Sequence, residues 1–497
     1  MEREDLQHRA PCAFDNDAPD AHRRALLLAA AGGSALAALP MKARADSQLA
    51  AMSQSDPNAL LDDLAERTFS YFWETSDPRT GLAPDRWPSP SVCSIAAVGF
   101  ALTAYPIGAE RGWITRGEAR QRVLTTLRFL SNLPQGPERS GRAGHNGFFY
   151  HFLDMKTGTR AGRCELSTVD TALLLAGALF CQSWFDEQDK GETEIRGLAE
   201  QLCAQVDWRW AQVRGPAISL GWKPESGFLP YDWKGYNEAM ILYLIALGAA
   251  KNPIDSAAWQ TWTSTYDAMS WRQIFGQKHH LDFAPLFGHQ YSHCWVDFRG
   301  IRDDYMRMRG LDYFENSRRA AYSQRAYAVA NPLGWRGYGK EVWGITACDG
   351  PADVRLAYQD STRRFRSYTG RGAGGVHTRD DGTLAPTAAA ASLPFAPEIV
   401  IPTVMAMREQ WGENLYSKYG FLDAFNPSFE YKVPLRHGKV VPDFGWFDTD
   451  YLGIDQGPIV AMLANYRDDL VWKTMRGNAH LQRGLKRAGF GGGWLEV

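Results

Sequence analysis

Apolar positions along the chain fall into two kinds of run. Ser91–Gly108, Ser167–Phe185, Tyr236–Ala250, Phe395–Met407 and Ile454–Tyr466 are apolar nearly all round. A helix of that kind must be buried on both sides. Between them lie amphipathic runs: one from residue 59 (ALLDDLAERTFSYFWET), then Thr115–Leu133, Thr193–Trp208, Ser256–Phe275 and Asp469–Lys486. These space their apolar residues as one helix face and keep the other face polar. Asn58 is placed to cap the first of them, and Tyr313–Ala330 reads as a single helix. Buried helices alternating with half-exposed ones predict an all-α fold, two concentric rings of antiparallel helices around a central cleft. A solenoid would show a repeat of fixed period, and none is visible. A β/α barrel would alternate strands with helices, and that alternation is missing.

Beyond residue 58 no Ser/Gly-rich or Pro-rich linker divides the chain, so residues 58–497 read as one domain. Its long glycine-bearing loops, Pro134–Asn146, Gln212–Gly235 and Gly370–Thr387, are of the length that usually carries function. Residues 1–45 have the marks of a Tat-like signal peptide: Arg23-Arg24, the alanine-rich run Ala25–Leu39, and Ala43-Arg44-Ala45 as a small-x-small cleavage site. Residues 46–57 read as a disordered lead-in. The expectation is a periplasmic or secreted protein whose mature form does not span a membrane, since no later apolar run is long enough. The formal net charge of −2 gives no basic face for nucleic acid. The cysteines show no CxxC pair or zinc-ribbon spacing.

Composition changes the picture in one respect. With 18 Trp and 20 Tyr, many rings must sit with one edge wet, as in sugar-binding grooves. The densest such stretch is Asp282–Asp303 (DFAPLFGHQYSHCWVDFRGIRD), where rings stand beside acids and arginines. It reads either as the wall of a carbohydrate cleft or as a buried helix start with structural Asp–Arg pairs. His289, His293 and Asp297 follow one another at four-residue spacing and could line one helix face. HQYSH lacks the glutamate of the metalloprotease motif, however, so no metal is expected. P-loop, GxSxG and post-strand GxGxxG motifs are also missing, and no cofactor is implied.

Acids recur at the starts of the apolar runs: Glu165 and Asp170 around Ser167-Thr168, Glu238, Glu341 and Asp349 around Trp343, Glu398, and Asp455, with Asp423 in GFLDAFN. Any one of them could simply offset a helix dipole. Together, backed by apolar cores, they are expected to converge. Converging carboxylates suit glycoside hydrolysis, in which one protonates the leaving oxygen and another activates water or attacks.

Five motifs in this order, LFGHQYSHCWVDFRGIRD, EVWGITACDG, APEIVIPT, GFLDAFN and GIDQGPIVAML, resemble the bacterial glucoamylase-like domain of glycoside hydrolase family 144, the β-1,2-glucanases. The resemblance runs from about residue 60 to the C-terminus. It implies a single (α/α)6 barrel, no metal, and inverting hydrolysis of β-1,2-glucan; the expected products are sophorose or short β-1,2-glucooligosaccharides, and the protein is expected to be a monomer. It implies Glu238 as general acid and Asp423 as base. Glu165, Asp170, His289, Tyr291, Arg299, Glu341, Trp343 and Asp455 would bind glucosyl units or tune the two carboxylates. The alternatives are hydrolysis or transglycosylation of another glucan, or glucan binding without turnover on the same scaffold.

Overall fold

The structure is a computed structural model and describes residues 56–496. The signal segment and most of the lead-in lie outside the described residues. Fourteen α-helices are present among them: α1 Pro57–Thr75, α2 Ile95–Glu110, α3 Arg116–Ser131, α4 Thr168–Trp184, α5 Lys190–Gln205, α6 Met240–Gly248, α7 Ala257–Thr263, α8 Asp304–Arg309, α9 Tyr313–Ala330, α10 Pro386–Ala390, α11 Pro397–Trp411, α12 Gly453–Asp468, α13 Leu470–Arg476 and α14 Ala479–Arg487.

Their ends follow from capping chemistry. Asp56, rather than Asn58, caps α1 by accepting from the Asn58 N–H, and Pro57 takes the first-turn position where no donor is needed. Thr115 and Glu118 form a reciprocal capping box on α3. Ser167 caps α4 by accepting from the Asp170 N–H, which turns Asp170 toward the open end of that helix.

The apolar runs form the inner layer. α2 packs against α4 and α12, α4 against α6, and α10 against α12. Two 3-10 turns, Leu286–His289 and Tyr291–Cys294, fill the place between α6 and α12. The amphipathic helices lie outside: α1 on α2 and α12, α3 on α2, α5 on α4, α9 on the first 3-10 turn, and α11 on α10 and α1. At the α2–α4 crossing the backbones touch. A Cβ on Gly99 would stand 2.3 Å from the Leu173 carbonyl oxygen, and one on Gly177 would stand 2.1 Å from that of Gly99.

Four expected elements differ. The run Phe395–Met407, expected to be buried on both sides, forms α11, which buries one face through Ile399, Val400, Val404 and Met407 and leaves Glu398 and Pro402 exposed. Residues 469–486 form two helices, broken at Gly477-Asn478, where Asn478 caps the second. Residues 256–275 give only the short α7, a π turn and a strand. Asp282–Asp303 is not a helix start: His289 and His293 sit on separate 3-10 turns, so their four-residue spacing does not align them on one helix face.

The loops are not structureless either. They carry antiparallel strands of two to five residues, so the helical layers bear a β-laced cap. Trp335, Cys348, Phe365, Ala424, Phe429 and Trp446 form a small core of its own within that cap. Arg371 is fully buried there. Its guanidinium donates to both oxygens of Asp381 at 2.8 and 2.9 Å and to the Cys348 carbonyl at 2.6 Å. Arg371 therefore serves as a structural strut for the loop that starts at Gly370.

Candidate active site

Two groups of ionisable side chains face the same end of the inner helices. The first gathers at the starts of α4 and α6. Asp170 is one turn into α4 and accepts from the Ser167 hydroxyl. Beside it, His151 places Nδ1 2.9 Å from Glu165 Oε1 and Nε2 3.7 Å from Asp170 Oδ2. Burial alone would push this imidazole down. Asp170 and Glu165 outweigh that and hold it up at about 9, so it stays cationic. Glu238 stands in the irregular turn just before α6, half-buried, with Oε2 buried and unpartnered. Burial pushes its carboxyl up to about 7, and the charge of Asp170 adds to that. A carboxylic acid that keeps its proton near neutrality is what a proton donor to a leaving oxygen needs.

The second group is larger and built from ladders. Strand Arg86–Trp87 pairs with Tyr451–Leu452, immediately before α12. Strand Ala347–Cys348 delivers Asp349, and its partner Thr369–Gly370 follows Tyr368. Asp423 lies between the Gly420–Phe421 and Phe425–Asn426 strands, with its N–H donating to the Asp450 carbonyl at 3.0 Å. Asp448 and Asp450 follow the strand Gly445–Phe447, which pairs with Phe425–Asn426. Asp455 is on the first turn of α12.

Asp349, Asp423, Asp448, Asp450 and Asp455 are each 5% exposed or less. Asp423 Oδ2 accepts from the Asp349 N–H at 2.7 Å. Its other oxygen and Asp455 Oδ2 have no conventional donor. The two carboxyls face each other across a bond that exists only when one is protonated. Burial raises both. Their mutual repulsion adds to that for Asp423, and the charge of Asp349 adds for Asp455, which reaches about 7. Asp448 is pushed up in the same way, by burial first and then by Asp349 and Asp423.

The cation in this group is Arg86, 2.6 Å from Asp349, 3.5 Å from Asp85 and 3.6 Å from Asp450, with His437 Nδ1 at 3.4 Å. Asp349, Asp423 and Asp448 bring carboxylate oxygens within 4.8 Å of one another, a spacing that could surround a metal ion. The Arg86 guanidinium already supplies positive charge at Asp349. Tyr291 links the two groups: its hydroxyl donates to the Ile454 carbonyl at 3.1 Å, and it lies within electrostatic reach of Asp455, Glu238 and Asp170.

Of the residues expected at the site, Glu165, Asp170, Glu238, Tyr291, Asp423 and Asp455 come together. Four do not. His289 is 2% exposed, packed on Tyr236 at 4.9 Å between ring centroids, and burial pushes its imidazole far down. Trp343 is wholly buried and offers no ring face to a ligand. Glu341 is exposed beside Lys340, 3.6 Å away. Arg299 is spent on Asp297 and Asp469, at 2.8 and 2.7 Å, and stacks on Trp472. Asp297 does hold arginines, Arg299 and Arg476. Asp303 does not; it caps α8 and accepts from Trp259 and Tyr313. Glu398 pairs with Arg318 and Tyr322 on the surface. Sequence reasoning passed over Arg86, His151, Asp448 and Asp450. The available signal was the density of acids in FDTDYLGID and the Asp85-Arg86 pair in a Pro-rich loop.

The segment 230–479 matches the Glycoamylase family model, described as "Putative glucoamylase". The chain belongs to the glucoamylase-like family. A crystal structure from Bacteroides uniformis carrying the same description superposes on this glucoamylase-like protein with a TM-score of 0.75, at 29% identity, covering 88% of this chain and 99% of that one. An endo-β-1,2-glucanase from Chitinophaga pinensis, solved with sophorotriose and glucose, gives 0.74 at 25% identity over 88% of this chain and 100% of its own. A curated relative from Parabacteroides distasonis is an exo β-1,2-glucooligosaccharide sophorohydrolase acting at the non-reducing end. It is 27% identical over 458 residues, 86% of this chain, and the match spans 57% of the relative's length.

Proposed function

We propose that this glucoamylase-like protein is an exported, monomeric β-1,2-glucan hydrolase that releases sophorose or short β-1,2-glucooligosaccharides with inversion. In this reading the inner and outer helices close as an (α/α)6 barrel, and the glucan lies across the open end between the two carboxyl groups. The observation that carries the proposal is Glu238, with one buried, unpartnered carboxyl oxygen and a carboxyl raised to about 7, joined through Tyr291 to a separate, crowded group of buried carboxylates around Asp423. That is the division of labour an acid–base pair requires. The names of the relatives support the linkage.

Glu238 gives its proton to the bridging oxygen as the bond to the anomeric carbon breaks. Water attacks that carbon from the opposite face, and its proton passes to Asp423. Asp423 is 2% exposed, so the proton reaches it through a relay rather than from open solvent. Asp170 and the His151 cation hold Glu238's surroundings in place, and Tyr291 spans the two walls.

The test is incubation of the purified protein with linear β-1,2-glucan, with product sizing and anomer detection by NMR. Release of sophorose or short oligosaccharides with an α-anomer as first product is expected. Inactivity on this glucan alongside turnover of a differently linked one would overturn the linkage. A β-anomer first product would overturn inversion.

A further inference from the structure

The second group sets Asp349, Asp423, Asp448, Asp450 and Asp455 around one guanidinium, and its geometry says how that cation is shared. Asp423 touches Asp349 by the Asp349 N–H, at 2.7 Å, and Asp349's own carboxylate is gripped by Arg86 at 2.6 Å. Arg86 is itself fixed at both ends. Its strand is laddered to Tyr451–Leu452, next to Asp455, and the Ser89 N–H three residues on donates to Asp450 at 3.1 Å. Residue 86 therefore joins two walls: its backbone is laddered to the segment that leads into Asp455, and its side chain holds Asp349, whose N–H binds the Asp423 carboxylate.

We propose that Arg86 and Asp349 form a charge clamp in which Arg86 is the positioning residue for the base, holding the Asp423–Asp455 pair in register and in its singly ionised form. This rests on the assignment of Asp423 as the base. Removing the guanidinium makes ionisation of the pair harder. Removing the Asp349 carboxylate makes it easier, because a like charge is lost and Arg86 is left to act on the pair alone.

The other groups facing the pair do not blur this. Burial pushes the carboxyls of Asp85 and Asp448 up toward their neutral forms, and Asp85 and Asp450 lie on Arg86 itself, at 3.5 and 3.6 Å. The phenols Tyr71, Tyr291 and Tyr368 and the thiol Cys348 are pushed up by burial and stay neutral. His437 is pushed down by burial and stays uncharged near neutrality.

The experiment is the profile of kcat/KM on a β-1,2-glucooligosaccharide, from about pH 4 to about pH 9, for R86M, R86K, D349N and D423N, with melting curves for each. R86M should move the acid limb upward by about one unit. R86K should leave the limb in place while lowering kcat, since the charge stays and the two-pronged grip is lost. D349N should move the limb downward. The alkaline limb, set by Glu238 on the other wall, should not follow. A folded R86M with an unmoved acid limb overturns the proposal. If R86M does not fold, D349N decides, and an unmoved limb there overturns it equally. D423N separates the two readings: wild-type turnover in D423N removes the base assignment itself, whereas an inactive D423N with unmoved limbs in R86M and D349N removes only the clamp.

Discussion

Replacing Glu238 by Gln tests the site through activity and stability at once. Gln keeps the shape of a protonated carboxyl and removes the proton. Loss of a general acid costs on the order of 10²–10⁴-fold in rate, and the residual activity should lose its decline above about pH 7, because that decline reports Glu238 giving up its proton. The stability effect has a defined sign. Glu238 titrates near its ordinary 4.5 when unfolded and at about 7 when folded. Between those values the folded state binds the extra proton, so wild-type stability falls as pH rises through that window. The full shift corresponds to about 3 kcal/mol. At about pH 5 the variant and wild type should melt together; at about pH 8 the variant should lead by about 3 °C, taking the usual unfolding entropy for a chain of this size. Sugar release measured on β-1,2-glucan and thermal melts at both pH values read the two effects. Near-normal turnover would remove Glu238 from the acid role. A pH-independent stability difference would refute the claim that its carboxyl is held protonated by burial.

Further outcomes follow from the same geometry. Asp423→Asn should lose on the order of 10²–10⁴-fold in kcat while glucan binding, read by calorimetry in the Glu238→Gln background, survives; loss of binding instead would make Asp423 a sugar contact. His280 is buried neutral, pushed down to about 4 by burial, so its contribution is present above about pH 6.5 and lost as pH falls toward 4. Because the raised carboxyls act in the opposite sense, the clean measurement is the difference between His280→Gln and wild type, which should shift by about 2 kcal/mol in the variant's favour between pH 7.5 and pH 5 in denaturant melts; no shift would contradict a neutral His280. Gly177→Ala sets two effects against each other. Helix propensity gains about 1 kcal/mol, but the new Cβ would meet the Gly99 carbonyl at 2.1 Å, which costs about 1–3 kcal/mol or more. The net should be a lower midpoint in urea, and a raised midpoint would mean that α2 and α4 can separate freely.

The inner helices were legible because burial on both sides leaves a plain mark, an apolar run without a polar face, as in α2, α4 and α12. α9 coincides with its expected span, Tyr313–Ala330. Asp282–Asp303 was not legible: 3-10 turns have no period that a hydrophobic pattern can reveal, and the spacing of His289 and His293 implied a helix face that does not form. The site divides along the same line. Asp170, Glu238 and Asp455 stand at or just before the starts of inner helices, where an acid ahead of an apolar run is visible. Arg86, Asp448 and Asp450 are placed by two- and three-residue ladders whose partners lie elsewhere in the chain. Glu341, Trp343 and Arg299 show the reverse error, since residues beside the right motifs proved to be surface, core and ion-pair residues.

Strand Arg86–Trp87, joined to the residues before α12, has a consequence for how the protein matures. Ser89 and Asp450, which meet beside the base pair, are 361 residues apart. Contacts of such separation come late in folding, because the closure entropy of the intervening chain must be met first. A nascent chain that has not reached residue 450 lacks Asp450, Asp455 and the helix α12 on which α1 and α2 pack. Activity on the proposed glucan would then report a long-range contact, because the second carboxyl group is complete only when the residues around Arg86 and those around Asp450 are both in place.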